Sequence, residues 1–298
     1  MALHPGLERA EWAVFHGAIN EAIPLLDELT ALTGRSAVYE RWLRGVALGA
    51  CGRYGEALEI AGQIVPGTPE YSMARSLRAS LMRQLGVHDL ALVSDREAMA
   101  SAATPGAAIE AMTGLAADAV GLQDGLTAGT MISQAQSLLD RVAAEPSSAP
   151  TWWRHQVRLH WVQCEVALLA SDATLATEHA NRALQHAEIA AAPRHVAKSL
   201  LFVAVGQIDA GQHQQAIPNL RRSLMLSTTM GFNAVAWPTH AVLAALIQGS
   251  DPQLSHDHFV AASGITRQLR QGLSGELADR WDARADIQAL HREAASGL

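Results

Sequence analysis

Within ten residues the chain carries His155, His160 and Cys164. Residues four apart share a helical face, so His160 and Cys164 could begin a zinc site, with His155 one turn earlier. A closed tetrahedral site needs four ligands, and the segment offers no fourth. A thiol buried at a helix contact accounts for Cys164 equally well, so no metal is expected. His256 and His258 fall near a helix start and are expected to be solvated. Two acidic pairs, Glu8/Glu11 and Glu56/Glu59, have the spacing of acid–base partners. Nothing apolar surrounds them to shift a pKa, so they suit a solvated face better than a catalytic site. Phosphate loops, nucleophile elbows, Cys-x-x-Cys and His-Glu-x-x-His motifs are absent. The expectation is a chain that is not an enzyme and holds no cofactor.

Charge narrows the partners. The net charge is −7, and residues 1–149 hold 17 acidic against 10 basic side chains while residues 150–298 hold 12 of each. An acidic chain with no basic block repels a phosphate backbone, which argues against nucleic acid. The stretch 223–250 has no Asp, Glu, Lys or Arg, yet Thr228, Thr229, Asn233, Pro238, His240 and Gln248 make it too polar for hydrocarbon. No membrane span is expected. Two distant cysteines build no disulfide framework, and no basic-then-apolar leader opens the sequence. A cytoplasmic protein is the expectation.

The elements that position any site come from an internal repeat. "GRYGEAL" (52–58) aligns with "GVHDLAL" (86–92) at an offset of 34, placing Gly52 on Gly86, Ala57 on Ala91 and Leu58 on Leu92. Upstream, Gly45 falls on Ala79 and Leu43 on Leu77. "GAINEAI" (17–23) is an earlier copy, and "GQHQQAI" (211–217) a later one. Each copy reads as helix, tight turn, helix. Small residues at 45, 57, 79 and 91 mark where antiparallel helices touch, since a larger side chain would force them apart. The glycine ends the first helix in the left-handed cap conformation. Thr68-Pro69 and Thr104-Pro105 are expected to start the following helices with an N-cap and a first-turn proline.

The 34-residue spacing, Gly-x-Tyr-x-x-Ala at Gly52, Tyr54 and Ala57, and the closing Pro69 resemble the tetratricopeptide repeat family. The sequence departs from the family pattern at Arg44 and Arg78, where leucine is usual. Downstream the unit lengthens to 40 residues between Ala176 and Ala216. Residues 150–290 resemble the tetratricopeptide-like sensor regions of bacterial transcription regulators of the maltose-activator type. The resemblance implies an all-α, right-handed α–α superhelix of about seven helix pairs, with a capping helix over 275–295. Each pair is expected to touch mainly its neighbours. Two series are expected, residues 1–144 and 151–298, joined by "EPSSAP" (145–150) unless the solenoid is continuous. "GLQDGLTAG" (121–129) reads as an interruption of the helical pattern.

In that family the first helix of each pair lines a concave groove. Trp42, Trp152, Trp153, Trp161 and Trp237 all fall on expected first helices or their starts. Carrying the groove face across by register points to Tyr39, Trp42 and Val46, then Met73, Ser76, Ser80 and Arg83, then Arg158, Trp161 and Glu165. A guanidinium holds a carboxylate and an indole holds an apolar side chain, so Arg83, Arg158 and Trp161 are the leading partner-binding candidates, with Trp42 and Glu165 beside them. The function expected first is a non-catalytic scaffold or adaptor whose concave groove takes a protein or peptide; the alternative is a sensor that binds a small molecule or peptide and signals to a separate regulator. A pocket closed by the last repeats favours the sensor, and an open, wet groove the adaptor.

Overall fold

Small residues set the spacing of this molecule. In a computed structural model, which describes residues 4–145 and 152–296, the chain is helical throughout and forms consecutive antiparallel pairs. The first four pairs are α1 (Pro5–His16) with α2 (Ile19–Asp27), α3 (Gly34–Cys51) with α4 (Tyr54–Gly62), α5 (Tyr71–Gln84) with α6 (His88–Ala100), and α7 (Pro105–Gly121) with α8 (Gly125–Ala143). Three more follow: α9 (Trp153–Leu169) with α10 (Ala173–Ile189), α11 (Pro193–Asp209) with α12 (His213–Met230), and α13 (Asn233–Ile247) with α14 (Pro252–Gln271). The array ends in α15 (Gly275–Asp282) and α16 (Ala285–Ala295). The seven pairs and the all-α solenoid match the expectation. The cap is two short helices rather than one, broken between Asp282 and Ala285.

The repeat register places its small residues at helix contacts. Ala22, Ala57, Ala79, Ala91, Ala176 and Ala216 are fully buried. A Cβ on Gly45 would lie 2.7 Å from Leu77 Cδ2 in the next pair, which is why nothing larger stands there. Gly52 closes α3 with φ 87°, and the Arg53 N–H then reaches back to the Leu48 carbonyl at 2.9 Å. Arg44, the departure from leucine, pairs with Glu40 of its own helix (2.6 Å) and reaches Asp27 of the preceding pair (2.5 Å).

Of the two expected Thr-Pro caps, one forms and one does not. Thr104 accepts from the Ala107 N–H at 3.2 Å, and Asp172 from the Leu175 N–H at 2.9 Å. Thr68-Pro69 does not cap a helix. The Thr68 hydroxyl donates to the Val65 carbonyl at 2.9 Å inside a turn, and α5 begins only at Tyr71. The helical pattern pauses within 121–129 at the turn 122–124 between α7 and α8, and the array of pairs continues through it. Gly121 ends α7 where a Cβ would strike the His88 ring at 2.1 Å, and Gly125 and Gly129 lie within a continuous α8. The expected linker lies outside the described residues apart from Glu145. His258 is half-buried against His240, their Nδ1 atoms 2.8 Å apart, and is not the solvated residue expected.

Packing is not purely between neighbours. The small rotation from each pair to the next accumulates, and by the seventh pair the chain has come round to its beginning. As a result α13 packs on α3, and α1 on α11. One core cluster joins Trp42, Leu43 and Val46 to Ala197, Phe232 and Val235. Another joins Tyr54, Leu58 and Leu85 to Leu269, Leu273 and Trp281. Arg280 meets both carboxylate oxygens of Asp89 at 2.7 and 2.8 Å, and Arg284 donates to the Gln84 carbonyl at 2.9 Å. The first helices face inward around this ring, and their inner faces make the site.

Candidate functional site

A central cavity of about 400 Å³ is walled by residues of all seven first helices, with Tyr54 of α4. A second lobe of about 430 Å³ adjoins it, sharing Ser80, Gln84, Arg158, Trp161, Glu165 and Lys198. Helical periodicity explains the lining. Arg154, Arg158, Trp161 and Glu165 recur at intervals of three or four on α9, as do Arg194, Lys198 and Leu201 on α11.

All five leading candidates line one lobe or both: Trp42 the first, Arg83 the second, and Arg158, Trp161 and Glu165 the two together. Their surroundings differ. Trp42 is buried, its ring 6.2 Å from Phe15 and 5.4 Å from Tyr39, with the Arg154 guanidinium 5.8 Å above it. Trp161 stacks between His195 (5.4 Å) and Phe202 (6.0 Å), and its indole N–H donates to the Ser199 hydroxyl at 2.8 Å. The Lys198 ammonium sits 4.5 Å from the centre of the Trp161 ring.

Arg83 is already neutralised. It bonds to Asp95 of α6 and to Asp118 of α7 (2.9 Å), both carboxylates fully buried, and to the Gly114 carbonyl at 3.3 Å. Burial opposes its charge, but the two carboxylates outweigh burial and hold the guanidinium above its usual range. With one cation for two acids, burial and the neighbouring Asp118 push Asp95 up to about 7 despite Arg83. Arg158 shares Glu110 with Arg154, at 2.8 and 3.3 Å. Burial works against the Glu110 charge, yet these two arginines hold its carboxyl at about 2. Glu165 is raised by burial, with Lys198 opposing.

Four functional-type residues escaped the sequence reading: Glu110, Arg154, Arg194 and Lys198. The signal was present in the repeat offsets. The 40-residue step that links Ala176 to Ala216 also carries Arg154 to Arg194 and Arg158 to Lys198. The 34-residue step carries Trp42 to Ser76 and then to Glu110. Burial lowers Lys198 to about 8 although Glu165 opposes the shift, and lowers Arg194 to about 10 with Arg158 adding to the effect. His155 is lowered by burial to about 4. His195, buried beside the same arginines, lies further below its ordinary value.

The metal arrangement does not assemble. His160 contacts Gln163 at 2.5 Å and stacks between His179 and His186. Cys164 is buried among Ala167, Ala176 and Ala180, where burial raises its thiol to about 12. Among the described residues no three His, Cys, Asp or Glu side chains are grouped to hold an ion. No helix among them is long and apolar enough to cross a membrane.

No protein-family model matches this chain, and no curated protein does. Solved structures do share its fold. A Rap protein complexed with competence and sporulation factor is 11% identical, with 98% of this chain and 85% of that one covered and a TM-score of 0.64. The Cut9–Hcn1 hetero-tetramer of the APC/C is 16% identical over 94% of this chain and 48% of that one, TM-score 0.57. A signal transduction ATPase with a tetratricopeptide repeat sensor, from Pyrococcus horikoshii, is 12% identical over 98% and 46%, TM-score 0.53. This chain therefore spans about half the length of the last two. Identity this low establishes likeness of architecture, and by architecture the chain is a tetratricopeptide-type α–α solenoid.

Proposed function

We propose that the chain is a ligand-responsive sensor module whose central cavity takes a small molecule or a short peptide. The observation that carries this reading is the closure of the ring. The last pairs pack against α3, α5 and α6, so the inner face is a walled cavity and not a long trough. A cavity of a few hundred Å³, mostly apolar with a few placed polar groups, is of the size and kind that takes compact ligands. An adaptor that lays an extended partner along its groove would need α15 and α16 to leave α5 and α6 first. Closure also supplies a route for response, because a ligand bridging α3, α5, α9 and α11 biases the ring toward its closed form. Two proteins of similar fold are consistent with such a role: one is described in complex with competence and sporulation factor, the other as having a tetratricopeptide repeat sensor.

Ser80 lines both lobes, so Ser80→Phe fills their junction. Metabolites and short peptides are screened by thermal shift against the wild type and this variant. Compounds that stabilise the wild type and not Ser80→Phe support the cavity. Binders that ignore Ser80→Phe and depend on outer-surface residues such as Glu59 would refute it.

A further inference from the structure

We infer that the ligand of this cavity is an anion, a compact compound bearing a carboxylate or phosphate that seats against Arg194. The inference rests on the reading of the cavity as the ligand site.

Four cations, Arg154, Arg158, Arg194 and Lys198, and two carboxylates, Glu110 and Glu165, line the main lobe among the described residues. Arg154 and Arg158 are taken by Glu110. Glu165 is the acid that faces Lys198. The Arg194 side chain has no hydrogen bond, ion pair or ring contact with any described residue. The charged groups nearest to it include Arg158 and Arg154, of its own sign. A partly buried guanidinium without a counter-charge costs stability, and in a chain of net charge −7 an acidic partner would be easy to supply. The cavity is positive inside a negative molecule.

The backbone adds to the same field. The first turns of four helices line the lobe: Gly106 and Ala107 of α7, Arg154 and His155 of α9, Arg194 and His195 of α11, and Ala234 and Val235 of α13. Of these only α7 has a side-chain cap; α9, α11 and α13 begin with none. Uncapped N-termini carry partial positive charge and free N–H groups, the elements of an anion site. Two polar atoms of residues lining the same cavity, one on α5 and one on α11, also lack partners. Ser76 Oγ and His195 Nδ1 are buried and unbonded, in residues 3% and 4% exposed. A serine hydroxyl donates readily to an anionic oxygen, and an imidazole Nδ1 does so when it carries the proton. Around this polar pole, Phe15, Trp42, Trp161 and Phe202 offer an apolar body its contacts.

The test uses the full chain and three probes at constant ionic strength: inorganic phosphate, acetate, and the aromatic acid 4-phenylbutyrate with its neutral amide as control. Melting temperature is followed against probe concentration for the wild type, Arg194→Gln and Arg194→Lys. The expected result is a saturable rise with at least one anion, weakened about ten-fold or more in Arg194→Gln and largely kept in Arg194→Lys, with no rise for the amide. Because the Arg194 side chain makes no bond in the free protein, Arg194→Gln should fold at least as stably as the wild type. Phosphate acting alone assigns a phosphoryl group, and acetate or phenylbutyrate acting alone a carboxylate. Equal rises in the wild type and Arg194→Gln, or no saturable rise with any anion, overturn the inference. A neutral compound blocked by Ser80→Phe but indifferent to Arg194→Gln overturns it while leaving the sensor reading intact. Arg194-dependent anion binding that survives Ser80→Phe upholds the anion seat at Arg194 and counts against the junction at Ser80 as part of the sensor's ligand site.

Discussion

Gly55 at the start of α4 and Gly272 at the end of α14 touch backbone to backbone: a Cβ on Gly55 would lie 1.6 Å from the Gly272 carbonyl oxygen. The contact is one-sided. A Cβ on Gly272 would meet only the Gly55 N and Cα, at 3.7 and 4.0 Å, which is ordinary packing. Gly55→Ala must push the end of α14 off the second pair, and overpacking of this kind costs about 1–3 kcal/mol or more. Gly272→Ala should be nearly silent, since its φ of −85° suits any residue. Urea denaturation of the two variants checks this, and equal midpoints would mean that the ring does not close at this seam.

A second seam is held by Arg284, whose guanidinium lies 4.9 Å from the Trp281 ring centre and donates to the Gln84 carbonyl. Arg284→Ala removes a stacked cation and leaves a half-buried carbonyl unpaired, a loss of about 1–2 kcal/mol. Arg280, by contrast, meets Asp89 at the surface, so Arg280→Ala should leave the melting temperature almost unchanged. The Arg284 variant should also alter tryptophan fluorescence through Trp281 and Trp237.

The cluster of Asp95, Asp118 and Arg83 predicts a pH effect with a definite sign. Asp95 titrates near 7 in the folded chain and near its ordinary 3.8 when unfolded. Between those values the folded state holds a proton that the unfolded state has lost. Stability therefore falls as pH rises through that window, and the cost is fully present above about 7. Asp95→Asn removes the cost while its amide can still donate to Asp118. The variant should gain on the order of 2 kcal/mol over the wild type at pH 8 and little near pH 4. Denaturation curves at the two pH values read the difference directly, and a gain that grows as pH falls would contradict the shared-cation account.

Lys198 is the chain's single lysine and lies in the cavity wall, so its signal is the one that Lys198→Arg removes while that of the α-amino group stays. After reductive methylation its ¹³C signal should titrate near 8 in place of the usual 10.5. Burial favours the neutral amine and Glu165 favours the charged one, so Glu165→Gln should lower the titration further. The linkage is that of a depressed base: the cost of its charge is present below about 8 and is relieved as pH rises toward 10.5. A titration near 10.5 would mean a water-filled cavity.

The sequence by itself determined the units. Ala57, Ala91, Ala176 and Ala216 could be named as helix contacts because a Cβ is the largest group that two crossing helices admit at closest approach. Gly52 could be named as a cap because left-handed backbone favours glycine. The same local rules put Trp42, Arg158, Trp161 and Glu165 on first helices, and the 40-residue step already held Arg194 and Lys198 in register with Arg154 and Arg158. Only the tertiary structure decided what these side chains face. Arg83 and Arg194 look alike in sequence, yet one is bound by Asp95 and Asp118 and the other meets no acid among the described residues. Closure of the ring belongs to the same level. The turn from one pair to the next is small and set by packing, and only its sum over seven pairs brings Gly272 against Gly55. A local pattern specifies each step of such a curve, and whether its ends meet depends on all of the steps together.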